Sequence, residues 1–216
     1  MMNLLFKIIS KLPIWTWFCS KVLAVYTTRI KGYPTFPIEK YQEVIWAIQN
    51  FNKEHKQCVY FFVLSDKESL AARLISAIGC RWTHAGVICA DPNYILEMKA
   101  EGLVKRHILN ALKECDYFAV VAYQVQDVER YYKCLEMIEA EMESFRYDFE
   151  QDLGNSSLDG NNKIFYCSEF VYALLVPSNN AVNDMIQTSQ VYGREVFSPD
   201  DVYDWGTKIF QYSEVV

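Results

Sequence analysis

The segment that most constrains this chain is Cys58–Leu64, CVYFFVL, an uninterrupted apolar and aromatic run of strand length. It has no alternate polar positions to turn toward water, so it reads as a buried strand. Phe118–Val125 (FAVVAYQV) is a second strand of the same kind. Between them, Thr83–Cys89 (THAGVIC) and Tyr94–Met98 (YILEM) read as strands joined by an Asp91-Pro92-Asn93 turn, and Gly102–Arg106 as a further one. Helical spacing appears at Pro37–Lys53, through Tyr41, Val44, Ile45 and Ile48, and at Val128–Ser144, through Tyr131, Leu135, Ile138 and Met142. Asp66 is placed to cap a helix over Lys67–Ile78 that Gly79 would end. Phe165–Val176 (FYCSEFVYALLV) reads as an apolar helix, and Ser198-Pro199-Asp200-Asp201 as the start of a short one. Helices gather at the ends and strands in the middle, an α+β order rather than strict βαβ alternation.

The chain has 216 residues, which predicts one domain with at most an appendage. Apolar residues at 51% and aromatics at 15% exclude a disordered chain. A net charge of −6 argues against general nucleic-acid binding, which needs a basic surface. Seven cysteines stand at 19, 58, 80, 89, 115, 134 and 167 without a C-x-x-C pair, so neither a disulfide framework nor a structural zinc site is expected. The thiols point to a reducing, cytoplasmic setting. Residues 1–36 form a separate N-terminal segment, with the main domain over 37–216. In that segment Leu4, Leu5, Ile8, Ile9 and Leu12 share a helical face, while Lys7, Lys11, Lys21 and Pro13 interrupt every apolar run. No run reaches the ~20 residues of a membrane span. Docking on the domain, lying at a membrane surface and serving as an uncleaved targeting segment all suit that pattern.

Histidine is scarce, at 55, 84 and 107 only. His84 opens a predicted strand, and Cys167 sits near the start of a predicted helix. A thiol at a helix N-terminus feels the positive end of the helix dipole, which favours thiolate. A nearby imidazole can share the proton and pass it to a leaving group, and N–H groups of the first helical turn can hold an oxyanion. A third polar group must fix the imidazole, and Glu97 in the neighbouring strand is the candidate, with Glu101 and His107 as rivals. The plain alternatives stay open: an inert buried Cys, a scaffolding His and a solvent-facing Glu. Asp148, Asp152, Asn155 and Asp159 in the polar loop Tyr147–Lys163 do not keep calcium-loop spacing, so no metal is expected.

The strings WTHAGVI, ILEMKAEGLV, Tyr147-Asp148, YCSEFVY and SPDDVY occur in that order over roughly residues 58–205. Together they resemble the circularly permuted, NlpC-like branch of the papain-like cysteine hydrolases, the YiiX-like enzymes. The carrying elements are His84-Ala85-Gly86, Glu97 with Gly102-Leu103, Tyr147-Asp148, Cys167-Ser168-Glu169 and Pro199-Asp200. The resemblance implies a permuted papain-like fold: a small, mainly antiparallel sheet packed against helices. It implies that Cys167 attacks an amide or ester carbonyl, His84 activates the thiol, and Glu97 orients His84. Tyr166, Ser168 and Tyr147 are the candidates for oxyanion or substrate contacts, and no cofactor is needed. The expected partner is a peptide or lipid-like substrate, with a membrane surface as a further partner through the N-terminal segment and no nucleic acid. A catalytically silent scaffold or lipid-binding module of the same fold is the alternative.

Overall fold

The structure, a computed structural model, describes residues 38–65, 80–148, 158, 163–178, 189–191 and 194–213. The N-terminal segment 1–36, the helix expected over Lys67–Ile78 and most of the Tyr147–Lys163 loop lie outside them. The elements run α1 (Ile38–Glu54), β1 (Cys58–Ser65), β2 (His84–Ile88), β3 (Tyr94–Lys99), β4 (Gly102–His107), α2 (Ile108–Lys113) and β5 (Tyr117–Gln124). They continue with α3 (Val128–Ala140), β6 (Arg146–Tyr147), β7 (Ile164–Phe165), α4 (Cys167–Ser178), β8 (Ser189–Val191), β9 (Arg194–Val196), α5 (Pro199–Trp205) and β10 (Thr207–Ser213).

The chain is α+β. Its main sheet has six strands in the order β10-β5-β1-β2-β3-β4, and every described pairing in it is antiparallel. The run CVYFFVL is explained by what covers β1. Val59, Phe61 and Val63 pack into one core with Leu135 and Ile138 of α3, Phe170 and Leu174 of α4, and Val202 of α5. Tyr60, Phe62 and Leu64 face the opposite way, into a core with Val44 and Ile48 of α1 and Ile108 and Leu112 of α2. Successive strand residues point to opposite faces, so a strand with helices on both sides must be apolar throughout.

The local signals act as elementary chemistry predicts. Asp91 Oδ1 accepts from both the backbone N–H and the side chain of Asn93, closing the β2–β3 turn. Asp127 caps α3 by accepting from Arg130 N–H. Ser198 and Asp201 form a reciprocal capping box on α5, with Pro199 at the first helical position. Beyond shifts of a residue or two at strand and helix ends, the elements depart from expectation in these places. The helix after Val128 ends at Ala140 and a 3-10 turn, Met142–Ser144, follows. Phe165 belongs to strand β7, so α4 begins at Cys167 itself. Strand β10 closes one edge of the sheet at the C-terminal end, where helix alone was expected. Among the described residues no helix is long and apolar enough to cross a membrane.

Candidate active site

Helix α4 is apolar on every side, with Phe170, Val171, Leu174 and Leu175 all buried, and it lies against β2 and α3. Its first turn carries Cys167, Ser168 and Glu169, each no more than 4% exposed. Glu169 Oε2 accepts the backbone N–H of Tyr166, half of a capping box, which fixes the chain direction into the helix. The cysteine thus stands at the end of the helix where backbone N–H groups lack intrahelical acceptors and the dipole is positive. The N–H groups of Ser168 and of Ala85, on β2, both bond to the Cys167 sulfur.

His84 is the first residue of β2 and is side by side with Leu64 of β1. The segment entering it is held at several points. Thr83 donates twice to the Leu64 carbonyl, from its backbone N–H and its hydroxyl. The Asp200 carboxylate accepts from Arg81 N–H at 2.9 Å and Trp82 N–H at 2.7 Å. The Pro199-Asp200 element therefore steers the histidine strand from the start of α5.

The β2–β3 register pairs Val87 with Leu96 and Ile88 with Ile95, and its continuation sets Glu97 opposite Gly86. His84 is then one diagonal step away, on the same face, at a distance long side chains can span. The structure closes that step: His84 Nε2 and Glu97 Oε2 are 2.7 Å apart. Nε2 being occupied, Nδ1 is left for the hydrogen bond between His84 and Cys167. A continuous line Cys167–His84–Glu97 results.

The electrostatics of the line follow from burial and pairing. Burial pushes the Cys167 thiol up. The His84 charge and hydrogen bond, with the Ala85 and Ser168 N–H groups, outweigh it and pull the thiol below its ordinary value. Burial pushes His84 down, and the Cys167 and Glu97 charges and hydrogen bonds raise it to about 9. Glu97 is fully buried, which alone would raise it, yet His84, Arg106 and Lys99 hold it at about 2. These directions favour a thiolate–imidazolium pair backed by a carboxylate.

The remaining candidates are distributed as follows. Tyr147 pairs with Phe165 in the short parallel β6–β7 ladder, which sets it beside the start of α4, and its phenol bonds to the Cys167 sulfur. Burial and the neighbouring sulfur and Asp148 charges keep that phenol protonated, well above its ordinary value. Tyr166 was expected to donate in the site. Instead it is buried and its hydroxyl accepts the Phe197 N–H, tying the head of α4 to the chain entering α5. Ser168 Oγ is buried with no hydrogen-bond partner among the described residues, while its N–H faces the sulfur. The rival third residues are elsewhere. His107 caps α2 by accepting from Leu109 N–H, and Glu101 is exposed in the β3–β4 turn. Arg106, which also bonds Glu97, was not singled out from sequence. Among the described residues no group of three or more His, Cys, Asp or Glu side chains is placed to hold a metal ion. Comparisons with family models, with curated proteins and with solved structures find no match to this chain.

Proposed function

We propose that this chain is a thiol-dependent hydrolase or acyltransferase acting on an amide or ester carbonyl. The observation that carries this reading is the hydrogen-bonded line Cys167–His84–Glu97, with its sulfur at a helix start. In the proposed cycle the Cys167 thiolate attacks the carbonyl carbon. The carbonyl π electrons move to oxygen, where the Cys167 backbone N–H at the start of α4 and the Tyr147 phenol are the candidate donors. The oxyanion collapses and the bond to the leaving nitrogen or oxygen breaks as the His84 imidazolium delivers its proton there. A thioester on Cys167 and a neutral imidazole remain. Water, or an acceptor hydroxyl or amine, then attacks the thioester and gives its proton to His84, and the departing thiolate restores the ion pair. Glu97 keeps the imidazole in one tautomer and stabilises its charged form, without itself taking the proton.

The motifs that resemble YiiX-like hydrolases support the same chemistry and point to peptide amides or lipid acyl groups as the substrate class, in a permuted papain-like fold. Alkylation tests the central step. In the full chain at mildly acidic pH, iodoacetamide should label Cys167 ahead of the other cysteines, with the site of labelling read by peptide mass spectrometry. Cys80 and Cys89 are pushed up by burial to about 11 and about 12, so they should lag far behind. Labelling of Cys167 no faster than these two would remove the enzyme reading and leave a silent scaffold or binding module.

A further inference from the structure

Glu97 presents a problem of its own. A carboxylate with no solvent exposure ionises only if both oxygens are satisfied, and His84 occupies only Oε2. The second oxygen, Oε1, takes the Nε–H of Arg106. Strand register explains the meeting. Glu97 faces Val104 and Arg106 faces Ile95 across β3–β4, so Arg106 is a diagonal neighbour of Glu97, as His84 is on the other side. Arg106 is itself only 12% exposed and is held from behind. Its Nη1 donates at 2.6 Å to Glu114 Oε2, on the C-cap residue of α2, and Lys99 Nζ stands 3.7 Å from the same oxygen. The line of alternating charge therefore does not stop at the carboxylate: it runs Cys167, His84, Glu97, Arg106, Glu114, with Lys99 at the outer end.

We propose that Arg106, braced by Glu114, is a positioning residue that keeps Glu97 ionised and aimed at His84, and so sets the pH range over which Cys167 is a thiolate. The proposal rests on the Cys167–His84 reading. A guanidinium suits the position because its rigid fork engages two carboxylates at once, which an ammonium cannot hold in one geometry. The charged groups facing Glu97 are His84 on β2, Arg106 on β4 and Lys99 on its own strand, with Glu114 one step behind. Without Arg106, the buried carboxylate keeps one partner and takes up a proton more readily. A protonated Glu97 no longer stabilises the imidazolium, and the thiolate is lost from the acid side.

The experiment is the pH profile of iodoacetamide alkylation at Cys167 in the full chain, for the wild type and for Arg106→Met, Arg106→Lys and Glu114→Gln. Far-ultraviolet circular dichroism in parallel establishes that each variant is folded. Arg106→Met should move the acid limb up by about one pH unit, about tenfold in rate at a fixed pH on that limb. Glu114→Gln should move it less in the same direction, and Arg106→Lys should recover part of the shift. A folded Arg106→Met with the wild-type acid limb overturns the proposal. If Arg106→Met does not fold, wild-type limbs in both Glu114→Gln and Arg106→Lys overturn it equally. The two layers of inference separate cleanly. A wild type without preferential Cys167 labelling removes the thiol reading and this proposal together, whereas a reactive wild type with unshifted variants removes this proposal alone.

Discussion

Gly86 shows how little room the site has. It lies between Phe62 on β1 and Glu97 on β3, and a Cβ there would stand 2.5 Å from Phe62 Cε1 and 3.0 Å from Glu97 Cβ. Phe62 has nowhere to go: it is fully buried, stacks on Phe118 at 5.8 Å, and its ring centre is 6.0 Å from that of His84. The bare backbone at Gly86 lets an aromatic floor and a buried carboxylate share one sheet face beside the imidazole. Gly86→Ala should cost about 1–3 kcal/mol by overpacking, read as a lower urea midpoint. It should also slow Cys167 alkylation, because the methyl group pushes on Glu97. An unchanged midpoint with unchanged labelling would show that Phe62 yields without consequence. Cys167, His84 and Glu97 were legible in the sequence because each has a scarce type or a telling place. Arg106 and Glu114 were not, since a Lys-Arg-His string at a strand end looks like an ordinary solvated surface. Only the β3–β4 register reveals which way the guanidinium turns.

Elements, rather than single groups, bring the two reacting side chains together. Cys167 belongs to the core on the α3/α4/α5 side of the sheet, while Phe62 and Glu97 lie on the α1/α2 side. The two sides meet at the start of β2, where His84 begins the strand and the Ala85 N–H bonds the Cys167 sulfur, so what fixes that start bears on the site. Helix α5 does this through Asp200, which receives two backbone N–H groups from the Arg81–Trp82 segment. Asp200→Ala leaves both donors without that acceptor and should cost about 1–3 kcal/mol, together with a marked fall in Cys167 alkylation rate. Ser198→Ala loosens the α5 cap and should cost about 1 kcal/mol, with little change in that rate. Urea unfolding and alkylation measured on the same two variants check this, and an equal effect of both on reactivity would show that α5 acts only as a whole. Long periodic or continuous segments, such as α1, β1 and β5, declared themselves in the sequence. The six-residue α2 is too short for periodicity to register, and β6 and β7, two residues each, exist only because they pair with one another. Strand β10 (TKIFQYS) is short of the apolar continuity of β1, because it is an edge strand.

At the scale of the whole molecule, the ion pair leaves a signature in how stability depends on pH. His84, raised from 6.5 to about 9, contributes stability that is fully present below about 6.5 and lost as pH rises through about 9. Cys167, lowered from 9.0, contributes the opposite: stability fully present above about 9 and lost as pH falls through its native value. Above about 6.5 and above the native value of Cys167, up to about 9, the two cancel. The unfolded chain holds one proton on the thiol, the native chain holds one on the imidazole, and no net proton moves on unfolding. Cys167→Ala breaks the cancellation. The two largest causes that raise His84, the Cys167 charge and hydrogen bond, are then gone and only Glu97 is left against burial, so His84 falls from about 9. Glu97, held at about 2 against an ordinary 4.5, acts in both proteins alike: its contribution is present above about 4.5 and lost as pH falls toward about 2. It drops out of the comparison. The His84 imidazole should therefore give up its proton at lower pH in Cys167→Ala than in the wild type, and NMR titration of its ring protons in the two folded proteins measures the difference. Equal titration of His84 in the two would mean that Cys167 carries no charge beside it, and the thiolate–imidazolium pair would have to be given up.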